Sequence, residues 1–312
     1  MAWLEITVNT TPDGVAETAA ALTAAGFSEL VIEDQQEFED FLEQNRACWD
    51  YIDESLQQKL QGLSRIKLYL EEEEEASLSR LQALTRQLEL TVKIAKMEET
   101  DWSESWKDNY PPVEIGSDMV ILPYWLAASY DGQRTPVILD PGLTFGTGAH
   151  PSTQMVIEVM EDSVKPGWRC LDLGSGSGIL SIAALRLGAK TAVGVDIDPK
   201  AEDIARENAA FNGFGAPEFT ALTGNVTTDK SLMQALAGPY DLVLVNIVAD
   251  VIIGLSGVLP RFLTEDSLLI CSGILDTRLG DVTAALEKSG LQITGIRAKE
   301  DWRCVTAKRR TL

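Results

Sequence analysis

A glycine-rich turn between a strand and a helix constrains this chain more than any other sequence feature. The turn spans residues 174–178 (GSGSG). Trp168 to Leu173 has the short apolar pattern of a buried strand, and Ile179 to Leu187 carries apolar residues at helical spacing. Glycines allow a tight turn and a close ligand approach, and the helix start presents free N–H groups. The pattern predicts a nucleotide-binding turn, with an ordinary glycine turn as the structural alternative.

An acid at the end of the next strand narrows the choice of ligand. Residues 191–195 (TAVGV) predict a second strand, and Asp196 follows it. A carboxylate in this position can accept hydrogen bonds from both hydroxyls of a ribose, so the ligand is expected to contain adenosine. The dinucleotide fingerprint Gly-x-Gly-x-x-Gly places its third glycine where Ile179 stands, which disfavours a nicotinamide dehydrogenase.

The spacing of Gly174, Gly176 and Gly178 resembles the motif of the class I S-adenosylmethionine-dependent methyltransferases. This resemblance implies that S-adenosyl-L-methionine is the cofactor. It also implies that Asp172 and the glycines lie near the methionine end of the cofactor, and that Asp196 holds the ribose.

Composition and charge limit the partners. The chain has 312 residues, 45% of them hydrophobic, and a net charge of -22 with a pI near 4.4. A surface that binds the phosphate backbone of nucleic acid needs clustered Lys and Arg, so we expect no direct binding of nucleic acid. The expected partner is a basic protein or a small molecule. A single histidine and four cysteines without a C-x-x-C pair predict no metal site. No signal peptide or membrane-spanning segment is apparent, so we expect a cytoplasmic protein. We also expect a monomer.

Residues 1–97 are predicted to form a small ferredoxin-like α+β domain. Their element order is βαββαβ, which builds a sheet with two helices on one face. Residues 35–61 read as an irregular insertion. The acidic run from Glu71 to Glu75 favours a solvated helix start, since acids are stabilised there by the helix dipole, over docking of a basic peptide. The predicted strands are 3–8, 29–33, 65–70 and 91–95, and the predicted helices are 12–25 and 71–88.

Residues 98–112 form a predicted linker, ordered because it contains Trp102 and Trp106 and ends in Pro111-Pro112. Residues 113–312 then alternate between strand and helix, which predicts a parallel sheet with helices on both faces and a terminal antiparallel hairpin. This is the layout of the class I methyltransferases. The predicted strands are 119–125, 135–139, 168–173, 191–195, 218–222, 240–245, 267–272, 291–297 and 303–308; the predicted helices, after one that ends near 162, are 179–187, 197–212, 228–236, 249–262 and 276–288.

A loop at residues 139–153 (LDPGLTFGTGAHPST) concentrates Gly, Pro and Thr before a helix, which is typical of a loop that folds over a ligand. Thr153 lies in the first turn of that helix, where its hydroxyl and free N–H groups can meet a carboxylate such as that of methionine. A purely structural loop is the alternative. His150 is better explained as a residue that orders the helix start than as a catalytic acid or base.

Asn246 directly follows the predicted strand 240–245, the fourth strand counted from 168–173, and begins the sequence NIVA at the crevice position of an α/β sheet. Its amide oxygen can accept a hydrogen bond from a substrate amine and aim the nitrogen lone pair at a methyl group. The alternative, a cap for the following helix, is compatible with that role. We take Asn246 as the candidate catalytic residue.

Together these residues resemble the bacterial ribosomal protein L11 methyltransferases. The resemblance covers nearly all of residues 98–308, and the FGTG loop combined with Asn-Ile-x-Ala is specific. It implies a small N-terminal domain that recognises the basic ribosomal protein, and methylation of lysine side chains and an α-amine. The cofactor contacts that it implies fall on Thr153, Gly174, Asp196 and Asn246. We also take as candidate cofactor-binding residues Asp172, Gly176, Phe145, Gly146 and Thr147.

The predicted chemistry is in-line transfer of a sulfonium methyl to an amine. A free lysine has a pKa near 10.4, so only about one in two or three thousand is neutral at pH 7. Burial in the crevice and the oxygen of Asn246 favour the neutral amine, and nothing in the sequence requires a general base. Two alternatives stay open: methylation of an amine on another protein or small molecule, and cofactor binding without catalysis. Ile247 after Asn246 excludes the Asn-Pro-Pro-Tyr signature of adenine and glutamine methyltransferases.

Overall fold

The computed structural model describes residues 3–27, 30–34, 64–71, 74–88, 90–97, 110–141, 148–236 and 238–310. Its contacts divide the chain into two compact units, Met1–Asn109 and Tyr110–Leu312. The predictions for the insertion at 35–61, for Trp102 and Trp106, and for Phe145, Gly146 and Thr147 lie outside the described residues.

The first unit has the predicted βαββαβ order and a four-stranded antiparallel sheet in the order β2-β3-β1-β4. Alternate residues of β1 are buried, and Leu22 of α1 and Leu81 of α2 belong to the same core, so both helices cover one face. This is the ferredoxin-like arrangement. The elements are β1 Trp3–Asn9, α1 Val15–Ala24, β2 Val31–Asp34, β3 Ser64–Glu71, α2 Glu75–Gln87 and β4 Thr91–Met97.

The second unit is built on a seven-stranded sheet in the order β10-β9-β8-β11-β12-β14-β13. Six of these strands run in the same direction, and β14 runs opposite to them. A second sheet contains β5, β6 and β7. The elements are β5 Val113–Ile115, β6 Met119–Pro123, β7 Thr135–Leu139, α3 Pro151–Ser163, β8 Arg169–Leu173, α4 Ile179–Arg186, β9 Thr191–Asp196, α5 Pro199–Phe211, β10 Phe219–Thr223, α6 Lys230–Ala235, β11 Tyr240–Asn246, α7 Ala249–Leu255, β12 Leu263–Leu275, α8 Leu279–Lys288, β13 Leu291–Lys299 and β14 Trp302–Arg309.

Helices cover both faces of the seven-stranded sheet, as predicted. Met155 of α3, Ile182 of α4 and Ala205 of α5 belong to one apolar core, and residues of α6, α7 and α8 belong to the other. The strand order reverses between β8 and β11, because the chain moves outward through β9 and β10 and then returns to add β11 and β12. Ligands of open α/β sheets bind at the carboxyl ends of the strands at such a reversal. The fold therefore opens a crevice beside Leu173 and Asn246.

Several predicted boundaries were wrong for local reasons. Helix α5 begins at Pro199 rather than at 197, because Asp198 caps it by accepting a hydrogen bond from the Lys200 amide. Helix α6 begins after the cap Asp229 for the same reason. The helix predicted over 249–262 divides into α7 and a 3₁₀ turn at Leu259–Phe262 with Pro260 near its start.

The boundaries of two predicted strands and a helix also differ. The strand predicted over 119–125 stops at Pro123, where a 3₁₀ helix begins, and the strand predicted over 267–272 extends from Leu263 to Leu275. The helix predicted from Glu71 begins at Glu75, because Glu71 still pairs with Trp3 in the sheet. Within the described ranges, no helix is long and apolar enough to cross a membrane.

Candidate active site

The glycine turn has the backbone conformation that its sequence predicts. Gly174, Gly176 and Gly178 have φ values of 78°, 48° and 78°, in the left-handed region that other residues rarely adopt. A Cβ on Gly174 would stand 2.4 Å from Cγ2 of Ile247, and one on Gly178 would stand 3.0 Å from Cβ of Ala205. Glycine is therefore required both for the turn and for its close packing.

Asp196 is tied directly to this turn. Its Oδ2 accepts a hydrogen bond of 2.9 Å from the Gly176 amide, and its Oδ1 accepts one of 3.0 Å from the Asp198 amide. The carboxylate is thus fixed at the carboxyl end of β9, next to β8. Each oxygen can still accept another hydrogen bond, so both can reach the hydroxyls of a ribose.

Asp172 lies on β8 beneath the turn and is 1% exposed. Its Oδ2 accepts hydrogen bonds from the Ser181 hydroxyl at 2.8 Å and the Ser181 amide at 3.2 Å, and its buried Oδ1 has no partner among the described residues. Burial, together with the charge of Asp196, raises the pKa of Asp172 to about 7, although the bonds from Ser181 oppose the shift. A buried acceptor without a partner favours a ligand with a positive charge or a donor near this position.

Asn246 reaches across the crevice to the start of α3. Its Nδ2 donates a hydrogen bond of 3.2 Å to Oγ1 of Thr153, which is itself 3% exposed. The amide oxygen receives no donor from the part of the chain that the structure describes, so it stays available as an acceptor. The capping alternative is wrong, because Val248 occupies the N-cap of α7 and makes no side-chain cap hydrogen bond.

His150 orders the start of α3, as the sequence favoured. Its Nδ1 accepts a hydrogen bond from the Ser152 amide at 3.2 Å and lies 2.6 Å from the Ser152 hydroxyl. The ring packs edge-on against Trp302, with the ring centroids 4.5 Å apart. Burial lowers the pKa of His150, which keeps it neutral as a cap acceptor.

Sequence reasoning missed the neighbours that hold Asn246 in place. Ile247 lies between Gly174 and Gly273, and a Cβ on Gly273 would stand 2.6 Å from the Ile247 carbonyl oxygen. The hydroxyl of Ser272 donates a hydrogen bond of 3.0 Å to the Ser152 carbonyl. The only signal for these contacts in the sequence was Gly273, which follows the predicted strand 267–272. The contacts themselves join residues far apart in the sequence and required the fold.

One large apolar side chain next to Asp196 is exposed. Ile197 directly follows Asp196 and is 74% exposed, which is unusual for a side chain of its size. It offers an apolar surface beside the carboxylate, suited to an aromatic base. In the described parts of the chain, no three His, Cys, Asp or Glu side chains are grouped to hold a metal ion.

The chain matches known proteins along nearly its whole length. It matches the family model described as ribosomal protein L11 methyltransferase (PrmA) over residues 2–310. A ribosomal protein L11 methyltransferase of Caldicellulosiruptor bescii is 35% identical over 320 residues, which cover 99% of each chain. Another, of Alkaliphilus oremlandii, is 33% identical over 323 residues, which also cover 99% of each chain.

A solved structure agrees with these relatives. The crystal structure of a ribosomal protein L11 methylase from Lactobacillus delbrueckii subsp. bulgaricus is 30% identical to this chain and has a TM-score of 0.58. The similarity covers 65% of this chain and 100% of the other.

Proposed function

This chain belongs to the ribosomal protein L11 methyltransferase family, and we propose that it transfers methyl groups from S-adenosyl-L-methionine to amine nitrogens of ribosomal protein L11. It is an S-adenosylmethionine-dependent methyltransferase, as its family membership shows. The proposed acceptors are lysine side chains and the α-amine. The cytoplasm remains its predicted location.

The observation that carries the mechanism is the orientation of Asn246. Because its Nδ2 donates to Thr153, its oxygen is the atom left to accept a hydrogen bond at the sheet reversal. An acceptor binds an N–H of the incoming amine and thereby orients the nitrogen lone pair. Asn246 would then lower the barrier by alignment, and Thr153 would hold Asn246 in the required rotamer.

The residues present fit the cofactor. The three glycines with positive φ leave room for close approach, and Asp196 presents two acceptor oxygens fixed by backbone amides. Asp172 adds a buried oxygen without a partner among the described residues, which suits a cationic group. We therefore assign the ribose to Asp196, the methionine end to Asp172 and the glycine turn, and the apolar wall for the base to Ile197. When bound, S-adenosyl-L-methionine supplies an electrophilic sulfonium methyl group.

The protein must also favour the neutral amine. A lysine ammonium loses solvation when it enters a buried crevice, so its pKa falls there. The Asn246 oxygen is uncharged and therefore stabilises the ammonium less than a carboxylate in its place would. His150 is already engaged at the start of α3. In the proposed mechanism the amine releases its proton to water before it docks, and no side chain acts as a base.

The ferredoxin-like unit is proposed to recognise the ribosomal protein. Supporting this role, it is a compact unit with its own apolar core, separate from the glycine turn, Asp196 and Asn246. A net charge of -22 also favours a basic protein substrate and disfavours nucleic acid. A fragment of residues 110–312 should therefore bind the cofactor like the full chain but methylate L11 poorly. Loss of cofactor binding by a folded fragment would refute this division of roles.

Incubation of the full-length protein with labelled S-adenosyl-L-methionine and unmethylated L11 tests the proposal. Mass spectrometry should find methyl groups on L11 amines, and a second basic ribosomal protein serves as the control substrate. Label on the control but not on L11 would support the alternative of another amine substrate. Cofactor binding without label on either protein would support a non-catalytic role.

A further inference from the structure

Two buried asparagines, one on α5 and one at its C-cap, contact the backbone on which the site is built. Asn208 is 0% exposed and Asn212 is 6% exposed, one helical turn apart. In the sequence both resemble ordinary polar positions of an amphipathic helix, and the reaction proposed above assigns no task to either. Buried amides are costly unless all their groups find partners, so their contacts identify what each one holds.

Asn208 joins two segments of the site. Its Nδ2 donates a hydrogen bond of 2.9 Å to the carbonyl oxygen of Ser177, inside the glycine turn. Its Oδ1 accepts a hydrogen bond of 2.9 Å from the amide of Asp140, the first residue after β7. That residue begins the segment that leads to Thr153. One planar group therefore fixes both the glycine turn and the start of the loop.

Asn212 makes a different set of contacts, with β7, with Asn208 and with Arg186 at the end of α4. Its Oδ1 accepts from the Ile138 amide at 2.9 Å, and its Nδ2 donates to the Ile138 carbonyl at 2.7 Å. Its side chain thus pairs with β7 as a neighbouring strand would. It also donates to the Asn208 carbonyl at 2.8 Å, but it does not touch the glycine turn.

We propose that Asn208 is a positioning residue that couples the glycine turn to Asp140 at the end of β7, so that the turn and the end of this strand are held together beside the cofactor. An amide side chain supplies a donor and an acceptor in one plane at every pH, which is why Asn fits this place. Because Asn208 is fully buried, loss of one of its hydrogen bonds is not replaced by water, and it also frees the side-chain amide that makes the other bond. The inference rests on the proposed function, since it concerns the same site.

Cofactor affinity separates this role from simple packing. Asn208→Ala and Asn212→Ala both remove contacts between α5 and the segment around β7, so both should lower the melting temperature. Below its melting temperature, Asn208→Ala should bind S-adenosyl-L-methionine about tenfold more weakly by calorimetry, because both buried hydrogen bonds are lost and cofactor binding must then order the glycine turn and Asp140. Asn212→Ala should change the affinity less than about twofold. Equal losses in the two variants, or no loss in either, would overturn the proposal.

Asn208→Asp tests the donated bond by itself. When protonated, the acid still donates to Ser177 and accepts from Asp140; when ionised, it repels the Ser177 carbonyl. When the acid is ionised, its cofactor affinity should therefore be lower than that of the parent at the same pH. An ionised Asn208→Asp variant that binds the cofactor as tightly as the parent would contradict the coupling.

Hydrogen exchange in the parent protein gives a test that does not depend on the folding of variants. Cofactor binding should slow exchange of the Asp140 amide more than that of the Ile138 amide, since Asn208 holds the first and Asn212 the second. Equal slowing of both would overturn the proposal. Because these measurements omit L11, a parent that binds cofactor but fails to methylate L11 would refute the proposed substrate and leave this inference standing.

Discussion

The substitution Asp172→Asn should remove a pH dependence of stability that is built into the glycine-turn site. Asp172 is 1% exposed and its Oδ1 has no partner in the described structure, so ionising it places an incompletely stabilised charge in the core. The variant keeps an oxygen to accept the two hydrogen bonds from Ser181, and it removes the ionisable group.

The sign and size follow from the pKa values. Burial raises the pKa of Asp172 from 3.8 to about 7 in the folded state. Between these values the folded protein holds a proton that the unfolded chain has released, so stability falls as the pH rises. Linkage gives a loss of about 2 to 3 kcal/mol from this group between about pH 5 and pH 8, most of it below about pH 7.

Denaturant unfolding at a series of pH values measures the effect. The difference in unfolding free energy between Asp172→Asn and the parent should grow by that amount over the range. Taking the difference cancels other groups, including His150, whose lowered pKa acts in the opposite direction. The control Ser181→Ala removes a hydrogen bond that opposes the shift and so should retain the pH dependence. A parent and Asp172→Asn with parallel pH profiles would refute the reasoning.

Two further predictions concern the cofactor cradle. Asp196→Ala should weaken S-adenosyl-L-methionine binding by about tenfold or more in calorimetry, since it removes charge-assisted acceptors. Asp241→Ala removes an acceptor for the Arg169 amide at the amino ends of β8 and β11, so it should not weaken binding, and equal effects of the two substitutions would remove Asp196 from the site. Gly174→Ala should destabilise the protein more than Gly167→Ala in thermal melts. Both glycines have positive φ, but only at Gly174 would a Cβ meet another side chain, Ile247, so equal losses would show that backbone strain alone acts.

The sequence predicts those parts of the fold that depend on local patterns. The glycine turn and Asp196 each follow a parallel strand and precede a helix, so their proximity at the carboxyl ends of those strands follows from the order of elements alone. Helix starts were misplaced where a cap decides them, as at Asp198, because a capping residue and the first helical residues look alike in composition. The position of β14 between β12 and β13 depends on long-range pairing, which local patterns do not encode.

The candidate site was predictable to the extent that each residue acts through its own element. Asn246 was correctly placed at the end of β11, but its bond to Thr153 joins two distant segments and required the fold. Asn208 and Asn212 could not be recognised at all, since an asparagine on a helix is usually solvated. Their burial follows from the packing of α5 against β7, which places the backbone amides of Ile138 and Asp140 next to their side chains.

The central claim is that the oxygen of Asn246 aligns a neutral amine for methyl transfer, and single-turnover rates with saturating cofactor and L11 test it most directly. Asn246→Ala should lose on the order of a hundredfold in rate while its cofactor affinity falls much less, because alignment acts mainly on the barrier. Asn246→Asp keeps an acceptor but stabilises the ammonium, so its rate should rise more steeply than that of the parent between about pH 7 and pH 10. A parent-like rate for Asn246→Ala, or parallel pH profiles for Asn246→Asp and the parent, would contradict the claim.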